Sequence, residues 1–155
     1  MQRYGIDADI CGDSYRRLLE YFANRTATYL FAVTNEEIIT GACRLIIDEL
    51  KLFGAITYYD NKWPGTTLLY GGKSLLIKGD LTPAVFQFIK EQRNTLFSWK
   101  CPDSPEDLCL IDVEGNALLA STSHECFATV LLADEDLSIW RQDELLKTID
   151  LRSLE

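Results

Sequence analysis

Apolar positions recur along this chain with two periods. Between Asp13 and Asn24, the residues Tyr15, Leu18, Leu19 and Phe22 fall three and four apart. That spacing predicts an amphipathic helix capped by Asp13 or Ser14. A wider stripe follows: Ile38, Ile39, Ala42, Leu45, Ile46, Leu50 and Phe53. It predicts a central helix, with Cys43 beside the stripe in the core. Thr34-Asn35-Glu36-Glu37 reads as its capping box, and Gly54 as its stop. Thr82-Pro83 marks a third start, a cap residue followed by proline at the first helical position. Val85, Phe86, Phe88 and Ile89 give that helix its buried face, and it ends near Asn94.

The second period is short and rich in β-branched and aromatic residues, which predicts strands over 27–33, 55–59, 66–70, 74–78 and 95–100. Residues 108–113 and 117–122 predict a hairpin over Glu114-Gly115-Asn116, and 126–132 continue its sheet. Asp134-Glu135-Asp136 breaks the pattern, with a helical segment expected around 142–149. Turn residues cluster at 60–65 around Pro64, which predicts an exposed loop carrying Trp63. Short turn-linked strands favour antiparallel pairing, and the amphipathic helices need a sheet face to bury against. The expectation is one α+β domain over 1–155, a mainly antiparallel sheet with packed helices.

Composition supports a real core: 47% of the 155 residues are hydrophobic. The formal net charge of -9 changes the choice of partner. Such a surface repels nucleic-acid phosphates and favours basic proteins. No apolar run is long enough to span a bilayer, and the opening MQRYGIDADICGD has no secretory apolar region. The five cysteines are odd in number and irregular in spacing, which points to free thiols in a reducing compartment. A soluble, cytoplasmic protein is expected.

Candidate chemistry is sparse. Gly71-Gly72-Lys73-Ser74 ends like a phosphate-binding loop, but the position needing the earlier glycine is Thr67, so a hairpin turn is the better reading. His124, the single histidine, lies between Ser123 and Glu125, with Cys126 next. Paired with a cysteine or a carboxylate such as Glu125 or Asp107, it could serve a small enzyme. Cys101, beside Lys100, is the best thiol candidate, because the ammonium would depress its pKa. Close-spaced Cys and His pairs typical of structural zinc are missing, and no cluster fits a calcium loop. Neither metal nor cofactor is expected. Asp103, Glu106, Asp107, Asp112 and Glu114 crowd the hairpin region and read as an acidic protein-binding face. Trp63, Trp99 and Trp140 sit beside polar neighbours, and Trp63 has the best prospect of being an exposed anchor.

The segment Pro-Glu-Asp-Leu-Cys-Leu, an Asp-Val-Glu-Gly-Asn turn and Ser-His-Glu, residues 105–125, resembles small acidic bacterial proteins of the toxin-immunity type. The resemblance covers about a seventh of the chain. It implies a cytoplasmic inhibitor that covers a toxin's active or substrate site. The expected function is therefore noncovalent binding of a basic protein, with Asp103, Glu106, Asp107, Glu114, Trp63 and His124 at the interface. The alternatives are a small enzyme built on His124 and a ligand-sensing domain with an apolar pocket.

Overall fold

The computed structural model describes residues 1–154. In chain order the elements are β1 (Gln2–Ile6), α1 (Gly12–Ala23), β2 (Thr28–Val33), α2 (Gly41–Leu52), β3 (Ile56–Asp60), β4 (Lys62–Trp63) and β5 (Thr66–Thr67). There follow β6 (Ser74–Asp80), α3 (Pro83–Gln92), β7 (Glu106–Ile111), β8 (Ala117–Thr122), β9 (Phe127–Leu132), α4 (Asp134–Gln142) and β10 (Arg152–Leu154). Eight strands form one sheet in the order β10-β1-β9-β8-β7-β2-β6-β3, with every pairing antiparallel. The α+β class with a mainly antiparallel sheet is thus what the chain adopts.

The helices supply the main core. Tyr15, Leu18, Leu19 and Phe22 of α1 meet Tyr29, Phe31 and Val33 of β2, together with Trp99 and Trp140. A smaller cluster gathers Leu30, Ala32, Leu76, Cys109, Ile111 and Ala120 under Trp63. Leu30 and Ala32 alternate with Tyr29, Phe31 and Val33 along β2, so this second cluster lies on the opposite face of the sheet. The tiny β4–β5 hairpin lowers Trp63 onto it.

Several boundaries differ from the sequence reading, each for a local or tertiary reason. The predicted capping box at Thr34–Glu37 does not form. Asn35 Oδ1 accepts from Glu37 N (3.1 Å), and the Thr34 hydroxyl donates to Glu106 instead. Helix α2 begins six residues later, where Thr40 Oγ1 accepts from Cys43 N (3.4 Å). Its buried stripe is Cys43, Ile46, Ile47 and Leu50; Ile38, Ala42, Leu45 and Phe53 are exposed. Gly54, at φ +100°, stops the helix as expected, with Gly54 N donating to Lys51 O and Ala55 N to Leu50 O.

Residues 95–100 do not form a strand. Thr95 Oγ1 accepts from Ser98 N (3.2 Å) and Asp9 Oδ1 from Phe97 N (2.9 Å), which winds Leu96–Ser98 into a 3-10 turn. Only Thr66–Thr67 of the expected strand over 66–70 pairs. The acidic triplet at 134–136 opens α4 rather than merely ending the sheet. Carboxylates suit the positive end of a helix, and Asp136 Oδ2 accepts from Ala133 N (3.1 Å). The helix expected near 142–149 shrinks to one turn, Leu146–Thr148. No helix among the described residues is long and apolar enough to cross a membrane.

All five cysteines are free. Cys11 and Cys126 are exposed, whereas Cys43 and Cys109 are buried and Cys101 is half-buried. Burial pushes the Cys43 thiol up to about 11 and the Cys101 thiol up to about 12. The native protein should therefore release two fast-reacting thiols to a chromogenic disulfide reagent at neutral pH, and five after denaturation. A third fast thiol would show that the layer over Cys101 opens readily.

Candidate functional site

Adjacent residues on a strand normally point to opposite faces. Glu106 and Asp107 escape that rule because β7 bulges. Leu30 pairs with Cys109 while Ala32 pairs with Glu106, so Asp107 and Leu108 together oppose Phe31. Asp107 takes the left-handed conformation, φ +59°, which Asp tolerates better than most residues. Its carboxylate and that of Glu106 then lie within 4.8 Å of each other and of a His124 ring nitrogen.

Each carboxylate is held from outside the strand. Asp107 Oδ2 accepts from Trp63 Nε1 (3.1 Å) and Oδ1 from Ser123 N (2.9 Å). Glu106 Oε1 accepts from both the hydroxyl and the amide of Thr34. Burial raises the Asp107 carboxyl above its ordinary value. The Ser123 amide and the Trp63 indole pull it back, the Glu106 charge pushes it further up, and His124 opposes.

The structure divides the predicted interface residues into two sets. Asp103, Glu114 and His124 are exposed. Glu106 is 3% exposed and Asp107 wholly buried, so neither belongs to an acidic surface. Trp63 is 4% exposed, not the free anchor its turn suggested. Its indole nitrogen finds an acceptor in Asp107, 44 residues away, which allows the ring to bury. Asp103 lies away from the carboxylate pair in its contacts: its carbonyl accepts from Arg93 Nη2 (2.9 Å). Glu114 stays in the hairpin turn, where Asp112 Oδ1 accepts from the Glu114 and Asn116 amides.

The sequence marks Thr34 only as a helix cap and Ser123 only as a neighbour of His124, and nothing local shows either as the partner of a buried carboxylate. Cys101 was, but its chemistry runs the other way. Burial and the Glu106 charge raise its thiol, so Lys100 does not make it a thiolate.

A second feature stands apart from the carboxylates. Helix α2 carries two apolar stripes, one buried and one not. Leu45 is 68% and Leu52 81% exposed, on the same face as Ala42. Between α2 and α3 runs a groove of about 430 Å³, lined by Leu45, Ile46, Phe88 and Arg93 among others. Phe88 of this lining also packs against Phe53, with ring centroids 5.7 Å apart. Beyond Gly54 the chain enters β3, an edge strand of five residues whose outer side is unpaired. The opposite edge, β10, has only three residues, and Arg152 pairs with Asp7 (3.0 Å). In comparisons with protein-family models, curated proteins and solved structures, nothing matched the chain.

Proposed function

We propose that this chain is a noncovalent protein-binding module of the immunity or inhibitor type, and that its partner is a basic protein. One observation carries the reading: the outer stripe of α2, with Ala42, Leu45 and Leu52, is apolar and uncovered. Scattered exposed apolar residues are ordinary, but a stripe continuous with an apolar groove marks an interaction surface. Such a face seats a partner by burying area, and the adjoining unprotected edge of β3 can extend pairing into it.

Charge supports the choice of partner. Residues 36–53 hold Glu36, Glu37, Asp48 and Glu49 against Arg44 and Lys51, and the whole chain carries -9. Apolar contact would hold the complex, while the acidic rim would speed encounter with a basic surface. The expected interface thus shifts from the hairpin carboxylates to α2 and β3. Asp103 and Glu114 remain as distant contributors to the field. The enzyme reading loses support, because burial and the Glu106 charge leave Cys101 unactivated.

The test is photo-crosslinking in the native host, with the reactive group placed at Leu45 or, as a control, at exposed Val113. The partner joined through position 45 is purified, and its affinity is measured by calorimetry. Leu45→Lys with Leu52→Lys should weaken it at least about tenfold, because a hot-spot truncation commonly exceeds 1 kcal/mol. Folding should be unchanged, since both side chains are already in water. An inhibitor role further requires that co-expression relieve the partner's toxicity, and that the double variant fail to do so. Equal crosslinking from positions 45 and 113, or an unaltered affinity, would remove α2 as the binding face.

A further inference from the structure

We infer that Glu106, Asp107 and His124 form a binding site for a divalent cation of the manganese-to-zinc class. Three ligand atoms, one from each side chain, lie within 4.8 Å of one another. Metal–ligand bonds of about 2.0–2.2 Å require ligand atoms somewhat closer together than that limit. His124 is exposed, so its ring can swing inward without disturbing the core.

Charge is the first argument. Two carboxylates side by side, both more than nine-tenths buried, repel each other and have lost their hydration. Among the described residues neither forms an ion pair with Lys or Arg. A cation between them supplies the missing counter-charge, and His124 stands at the solvent side where an ion would enter.

The second argument is independent of the acids. Ser123 Oγ is wholly buried and has no hydrogen-bond partner. It belongs to the residue whose amide holds Asp107 and whose neighbour is His124. A water carried by a bound cation would satisfy that hydroxyl, since a three-ligand site keeps an open position for water.

The donor set selects the ion. Calcium takes six to eight oxygens and magnesium prefers oxygen and water, so an imidazole beside two carboxylates favours manganese or zinc. The ligands are also oriented from behind, Asp107 by Trp63 and Ser123, Glu106 by Thr34. Such outer partners fix ligand geometry in metal sites. The site is built on β7 and the turn that follows β8, and its test is separate from that of partner binding.

The probe is Mn²⁺ alone, which exposed thiols bind poorly, added to the chelator-treated full chain. The free ion is followed by its paramagnetic resonance signal, and stability by thermal unfolding. One Mn²⁺ should bind per chain and raise the unfolding temperature, because the site exists only in the folded state. His124→Ala, an exposed position, should leave the fold intact and weaken binding about tenfold or more. Glu106→Gln should do the same if it folds. Asp103→Asn and Cys126→Ser should bind as the parent does. No binding at millimolar Mn²⁺, or binding that survives His124→Ala, overturns the site. So does an equal loss in Asp103→Asn, which would indicate diffuse attraction to an acidic surface.

Discussion

Replacing Trp99 with alanine should cost about 4 kcal/mol, within the range for deleting a buried indole. Trp99 is wholly buried, although it follows Ser98 and precedes Lys100. Its ring lies against Phe31 with centroids 4.6 Å apart, and its Nε1 donates to Tyr15 Oη (2.7 Å). The indole thus ties the 3-10 turn to the centre of β2 and to α1. Removing it opens a cavity that no neighbouring loop can fill, and it leaves the Tyr15 hydroxyl unpaired. Burial already holds that phenol up at about 12, so it cannot compensate by ionising. For a chain of this length the loss corresponds to a fall in Tm of about 8–16 °C. Tyr15→Phe removes only the acceptor, and should cost about 1–3 kcal/mol. Urea denaturation of the three proteins measures both. A Trp99→Ala loss below about 2 kcal/mol would show that the turn does not anchor the core.

Asp107→Val should be nearly as damaging, at about 3–5 kcal/mol. Valine is poorly suited to the left-handed conformation at φ +59°, a strain of about 1–2 kcal/mol. It also strands two buried donors, Trp63 Nε1 and Ser123 N, each at about 1–3 kcal/mol. Asp107→Asn tolerates the backbone, keeps one acceptor and removes the charge. Its NH2 faces one of the two donors and leaves it stranded, so the substitution should cost about 1–3 kcal/mol.

Its pH behaviour is the sharper readout. The Asp107 carboxyl titrates above its ordinary value in the folded protein, so folding favours its protonated form. That contribution is present in full below the ordinary carboxylate range, and it is lost as pH rises through the raised value. The stability of the parent relative to Asp107→Asn should therefore fall as pH rises above the ordinary carboxylate range. Asp7, Asp112 and Asp143, whose carboxyls are lowered by their partners, oppose this in both proteins and cancel in the difference. A difference that rises with pH would mean that the Trp63 and Ser123 donors outweigh burial.

The helices and strands were legible where local chemistry decides them. Thr82-Pro83 starts α3, Gly54 stops α2, and the Asp112–Asn116 turn closes the hairpin between β7 and β8, all within a few residues of their cause. What failed depended on distant partners. Thr34 is a plausible helix cap until Glu106 takes its hydroxyl from 72 residues away. Trp63 looks exposed until Asp107 accepts its indole. Glu106 and Asp107 read as surface acids because a bulge cannot be seen in the letters, and strand alternation would have parted them. The strands β1 and β10 were missed altogether. Each is short, and neither is strongly patterned without the neighbours it pairs with.

The position of β1 governs the order in which the protein can be completed during synthesis. It lies between β9 and β10, with Arg3 opposite Leu131 on one side and Leu154 on the other. The ribosome releases β1 before either of its partners. The pairs β3–β6, β7–β8 and β8–β9 join near neighbours and can form as they emerge, while Tyr4 and Ile6 wait uncovered until β9 has been made. Pairings across so long a stretch of chain are slow to close. The apolar residues of β1 are consequently among the last in this sheet to be shielded, and they are a point at which the nascent chain is exposed to aggregation and to holding chaperones.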